Sequence, residues 1–181
     1  MKFTETTYTN ALTLGYNAVQ VKYGGEHVRI EMSRGQGRIY SARDGRPVDS
    51  FELDDGPVVT LFGNYLVADG AKTVIVWDCL RIGDQPYDNV RLEYSDVRSY
   101  SYRNRYALAR ERLGECRNVR GLTLFLIETF RVEQAPDLWT TLPDRNTRLK
   151  VTGIVYRKTN ATGDEPVLVS RWYPELPSGI P

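Results

Sequence analysis

The sequence is short of the residues that build metal centres and covalent staples. It carries two cysteines, Cys79 and Cys116, and one histidine, His27. Two thiols cannot staple a chain of 181 residues, so a reducing, cytoplasmic setting is expected. One histidine and two distant cysteines do not make a zinc site, and no metal ligands are assigned. Long apolar runs are missing too. No stretch approaches the roughly 18 apolar residues that span a bilayer, so no membrane partner is expected. The N-terminal Met1-Lys2-Phe3-Thr4 stretch lacks the apolar core of a secretory signal. A strong charge of either sign is also lacking. Twenty-four basic residues offset 23 acidic ones, so any pull toward nucleic acid must come from a local patch.

What remains is an ordinary globular composition, 41% apolar and 26% charged, which suits one domain over residues 1–181 with a Pro-rich tail at 174–181. Short alternating runs separated by turn residues dominate. Ala18–Lys22, His27–Met32 and Gly37–Ser41 read as three strands in succession. Residues 51–57 read as irregular. Val58–Val67 reads as a strand broken at Gly63-Asn64, and Thr73–Leu80 as a strand buried on both faces. Asp78 lies inside that run, where a carboxylate needs a partner or a job. Leu122–Val132, Leu149–Tyr156 and Val167–Tyr173 complete the strands. Residues 1–14 read as a lead-in and 136–146 as a short helix. The best long helix is Ser95–Cys116, with Ser95 as its N-cap and Asp96 in its first turn. The fold class is α+β, mainly antiparallel sheet with few helices.

Two stretches carry chemistry. Lys22 enters a Tyr-Gly-Gly turn. It reads either as a hairpin lysine pointing into water or as a partly desolvated amine able to act as a nucleophile. Arginines 98, 103, 105, 110, 112, 117 and 120 form the one basic patch. It reads either as a solvated helix face with i,i+4 pairs or as phosphate contacts, with Arg103, Arg105 and Arg110 the nucleic-acid candidates.

The order of short motifs adds a resemblance. Lys22-Tyr-Gly-Gly25, Tyr40-Ser-Ala-Arg43, Phe62-Gly-Asn-Tyr-Leu-Val67, Val74-Ile-Val-Trp-Asp78, Val151-Thr-Gly-Ile-Val155 and Ser170-Arg-Trp-Tyr-Pro174 follow one another. This order resembles the covalent nucleotidyltransferase superfamily of ATP-dependent DNA ligases, RNA ligases and mRNA capping enzymes. The similarity runs from about residue 18 to 174. It implies a ligase/capping-enzyme nucleotidyltransferase domain, ATP-grasp-like; such proteins often append an oligonucleotide-binding barrel, and none is expected here. It also implies a lysyl-AMP intermediate at Lys22, with ATP as cofactor and RNA ahead of DNA as the polynucleotide. On the same footing Gln20 would contact adenine, Gly25 would be the first motif's glycine, and His27 would lie near the ribose. Arg43 would meet phosphate and Trp77 would stack on the base; by their charge alone, Lys158 and Arg171 are expected to supply positive charge to phosphate.

The departures are specific. Gly24 stands where the family's first motif has Asp. Asn64 replaces a carboxylate near ribose or metal-bound water, and Thr152 replaces the acid that helps place Mg²⁺ or Mn²⁺. Arg171 stands for the first lysine of the last motif and Tyr173 for the second. Hard cations prefer carboxylate oxygens, so the two lost acids count against a metal site. Losing one preorganised donor costs about 10²–10³ in rate. The second reading is therefore a catalytically degenerate relative that binds nucleotide, nucleic acid or a protein partner. A partner protein could also supply the grip on substrate.

Overall fold

Alternating runs and turn glycines give the chain its strands. The computed structural model describes residues 3–33, 35–53, 58–83, 94–114, 116–119, 121–146, 149–162, 167–173 and 180. Two compact units divide it, one made of Met1–Gly24 with Ile127–Pro181, the other of Gly25–Leu126. The first unit starts with β1 (Phe3–Glu5), α1 (Tyr8–Thr13) and β2 (Ala18–Tyr23). The lead-in thus holds a helix, which the lack of periodicity hid. Thr7 caps it, its Oγ1 accepting from the Asn10 amide at 3.2 Å.

The second unit runs through β3 (Glu26–Ser33), β4 (Gln36–Ser41), β5 (Pro47–Glu52), β6 (Val58–Ala68) and β7 (Ala71–Gly83). It continues with β8 (Tyr94–Asp96), α2 (Tyr102–Leu113), β9 (Cys116–Val119) and β10 (Leu122–Leu126). The sheet order is β5-β4-β3-β6-β7-β10-β9, with β8 also on β7. Its pairs are antiparallel except β7 with β10. Alternation on β3 buries Val28, Ile30 and Met32 beside Ile39, Leu61, Val74 and Leu124. Cys79 sits among them as a small core residue, its thiol pushed up to about 12 by burial and then by Asp78.

Several expectations need correction here. The strand over Val58–Val67 does not break at Gly63-Asn64 but shifts register there. A Cβ at Gly63 would lie 2.7 Å from the Ile75 carbonyl oxygen, so the glycine keeps the strands together. Phe51, expected to be irregular, lies buried in β5, while 54–57 fall outside the described residues. The long helix starts at Tyr102, not Ser95. Asp96 spends its carboxylate on the Arg98 amide and guanidinium, and 94–96 pair with β7. The N-cap is Ser101, whose Oγ accepts from the Asn104 amide, and Gly114 ends the helix at φ 71°. The long strand expected from Leu122 ends at Leu126, at the boundary of the unit.

The chain then returns to the first unit with β11 (Phe130–Arg131), α3 (Ala135–Thr140), α4 (Leu142–Asn146), β12 (Val151–Arg157) and β13 (Val167–Arg171). Strand order is β1-β13-β12-β2-β11, antiparallel except β1 with β13. Helices α3 and α4 pack on β12. Val19, Val21, Ile154, Tyr156 and Leu142 are buried. The expected fold class, α+β with mainly antiparallel sheets and few helices, matches both units. No helix among the described residues is long and apolar enough to cross a membrane.

Candidate functional site

Lys22 owes its setting to register. On β2 it stands opposite Gly153 of β12, and Gly153 stands opposite Arg171 of β13. Paired residues share a sheet face, so these three form one row. The middle position has no side chain, which leaves a gap between the lysine and the arginine. Only glycine fits there. Its φ is 140°, and an added Cβ would lie 2.0 Å from the Ser170 carbonyl oxygen. A register shift beside Gly153 brings Thr152 to the lysine. Lys22 Nζ donates to Thr152 Oγ1 at 3.1 Å, and that hydroxyl donates to the Lys22 carbonyl oxygen at 3.2 Å. The hydroxyl proton is thus spent on the backbone, and a lone pair faces the amine. Half-burial and, second, the Arg171 charge lower the Lys22 pKa from its ordinary 10.5. Arg171 also pairs through Nε with the Glu5 carboxylate.

Gln20 lies two residues back on the same face and is 1% exposed. Its amide nitrogen donates to Thr129 Oγ1 at 2.8 Å, and its oxygen accepts from Arg157 Nε at 2.7 Å. The side chain expected to meet adenine therefore has both ends of its amide engaged within the first unit. Thr129 and the buried Arg157 were invisible as its partners, because the contacts span 109 and 137 residues of sequence. Lys158 is not brought to Lys22. It follows the end of β12, five residues past Gly153 or about 16 Å along a strand, and its Nζ lies over the Tyr16 ring at 5.2 Å. Tyr173, in the place of the second lysine, is half exposed.

The second unit holds the other expected residues. Trp77 is 8% exposed, and its indole N–H donates to Asn64 Oδ1 at 2.9 Å. Its ring stacks on Phe62 with centroids 5.5 Å apart, and exposed His27 meets its edge at 6.4 Å. His27 stands opposite Asn64 in the β3–β6 register. Trp77, Asn64 and His27 thus form one cluster. Gly25 has φ 99°, and a Cβ there would lie 2.5 Å from the Tyr65 carbonyl oxygen. Arg43 is exposed in the turn after β4, its amide donating to Ser41 Oγ at 3.4 Å.

The basic patch needs a correction at Arg105. That side chain is buried, with Nε 2.8 Å from Asp78 Oδ1 and Nη2 3.1 Å from Asp78 Oδ2. It belongs to the buried stripe Tyr102, Arg105, Ala109 and Leu113, and it is the partner Asp78 required. Arg103 and Arg110 are exposed on α2. Arg120 lies outside the described residues.

Asn64 and Thr152 stand where acids were expected, and each already has a hydrogen-bond partner. Among the described residues no three His, Cys, Asp or Glu side chains gather as metal ligands.

Comparison with solved structures gives the fold a relation. The structure described as "mycobacterial DNA ligase D complexed with ATP and MES" superposes with a TM-score of 0.56, covering 86% of this chain and 54% of that one at 14% identity. The fold is ligase-like. "Pmar-Lig_PreS3" superposes at 0.60, covering 94% of this chain and 46% of its own at 10% identity. "Pmar-Lig_Pre." gives 0.59 with the same coverages at 9% identity. This ligase-like chain spans about half the length of the solved chains it matches. No protein-family model and no curated protein sequence matches it. The resemblance read from the motif order therefore holds at the level of the fold.

Proposed function

We propose that this chain is a small polynucleotide-ligase-like nucleotidyltransferase that forms a lysyl-AMP intermediate at Lys22. The observation that carries the reading is the row Lys22–Gly153–Arg171, with a half-buried amine steered by Thr152 and its pKa lowered by burial and by Arg171. A neutral amine is what attack on phosphorus requires. Lys22 first gives up its ammonium proton to solvent. Its lone pair then forms an N–P bond to the α-phosphate of ATP as the bond from that phosphorus to the bridging oxygen breaks. Pyrophosphate leaves with that electron pair, and the nitrogen sheds a second proton to solvent, which leaves the neutral N–H of the phosphoramidate. The Arg171 guanidinium, across the side-chain-free gap at Gly153, neutralises charge growing on the phosphoryl oxygens. Transfer of AMP to a 5′-phosphate would follow, with RNA the first polynucleotide to offer. No step here runs through a protein-held metal ion.

The engaged amides of Gln20 and Asn64 favour a second reading, a relative that binds nucleotide or nucleic acid without transferring it. One experiment separates the two. The protein is incubated with α-labelled ATP, then denatured and counted. Acid-labile label on wild type that is lost in Lys22→Ala supports transfer. Binding of ATP without label supports the second reading.

A further inference from the structure

A cavity of about 280 Å³ opens in the second unit, lined by Arg29, Glu31, Thr60, Phe62, Arg81 and Arg98 among others. Register explains why they meet. Glu31 stands opposite Thr60 and Thr60 opposite Arg81, while Arg29 stands opposite Phe62 in the neighbouring row. Arg81 in turn stands opposite Asp96 of β8. Arg29 and Glu31 alternate with the buried Val28, Ile30 and Met32, so the arginine is presented by a strand whose other face is core.

Two of the guanidiniums lie against carboxylates. Arg29 Nε lies 3.0 Å from Glu31 Oε1, and its guanidinium lies over the Tyr40 ring at 5.2 Å. Arg98 Nε contacts both oxygens of Asp96, at 3.0 and 2.9 Å. A guanidinium carries five donors in a fixed fork, more than one carboxylate takes up. Among the described residues that line the cavity, Arg29, Arg81 and Arg98 face one carboxylate, Glu31. Arg81 is exposed, and among the described residues its charge acts on Asp96. The volume lies just below the ~300–1,000 Å³ of sites for drug-sized ligands, which suits a small group better than a whole nucleotide. Planar guanidinium forks in a concave, hydroxyl-bearing wall match tetrahedral oxyanions.

We propose that this cavity binds a phosphate-class oxyanion, presented either as inorganic phosphate or as the phosphorylated end of an oligonucleotide. The site is independent of nucleotidyl transfer at Lys22, and its test needs no turnover. Phe62, which lines the cavity, also stacks on Trp77, so a phosphorylated end would have an aromatic neighbour for its base.

Titration calorimetry on the full chain tests this with inorganic phosphate, with a short 5′-phosphorylated oligonucleotide and with its 5′-hydroxyl twin. The expected result is heat from a phosphate-bearing probe that Arg81→Gln weakens on the order of tenfold, as for one lost charged hydrogen bond. Glu31→Gln should tighten the same probe by removing the carboxylate that competes for Arg29. A misfolded variant cannot produce that gain. Binding by the free ion alone assigns the site to phosphate. Preference for the phosphorylated oligonucleotide over its twin assigns it to a polynucleotide end. Failure of both phosphate probes on wild type overturns the proposal, as does wild-type affinity in Arg81→Gln.

Discussion

The first and second units each place a basic side chain against a sheet, and they treat its charge in opposite ways. In the second unit Arg105 is buried and forked onto Asp78 through two nitrogens. In the first, Lys22 is half-buried, rests on a neutral hydroxyl, and has a second cation across Gly153. The Arg105–Asp78 arrangement satisfies a charge and fixes a helix on its sheet. The Lys22 arrangement leaves the charged form of the amine disfavoured. Breaking the first would leave a buried charge unpaired, whereas the second holds an amine closer to its neutral form.

The largest effect expected is on the paired site. Asp78→Ala leaves a guanidinium buried without its carboxylate and should cost about 3–5 kcal/mol in denaturant unfolding. Lys22→Met replaces a half-buried amine that rests on a hydroxyl and should stay within about 1 kcal/mol of wild type. Equal losses would erase the contrast between the two units. Gly153→Ala comes next. Its backbone lies where side chains are strained and its Cβ would meet the Ser170 carbonyl oxygen, so a loss of about 1–3 kcal/mol is expected by the same measurement.

The smallest effect is a pH dependence, and its sign follows from linkage. Lys22 has a folded pKa below the unfolded value of 10.5, so the unfolded chain binds its proton more tightly. Stability from this group is least below the folded pKa and rises with pH until 10.5 is passed. Arg171→Gln removes the second cause of the shift and should shrink that rise in denaturation midpoints across the window. It should also move labelling of Lys22 by amine reagents to higher pH. An unchanged profile would show that Arg171 does not act on Lys22.

The strands were legible because alternation and turn glycines report directly on burial and bending. Asp69-Gly70, an Asp-Gly pair between two such strands, has φ values of 49° and 78°, the positive pair that tight hairpins favour. The helix start was misread because Ser95-Asp96 carries the same residue types as a true cap, and only pairing of 94–96 with β7 decides against it. Lys22 stood out by its turn, and Asp78 by its burial. Their partners did not, since Thr152 and Arg105 lie 130 and 27 residues away. Lys158 was placed by charge alone, and strand length along β12 carries it away from Lys22. Arg105 was counted with a surface patch because an arginine in a helix stripe looks exposed until its carboxylate is found.

The central claim is that the amine at position 22 is the group that takes the nucleotide. Peptide mapping by mass spectrometry after incubation with ATP reads this out residue by residue. The account predicts an adenylyl group on the peptide containing Lys22, removed by acid. Adenylyl groups on other lysines with residue 22 unmodified, or none anywhere on a protein that binds ATP, would contradict it.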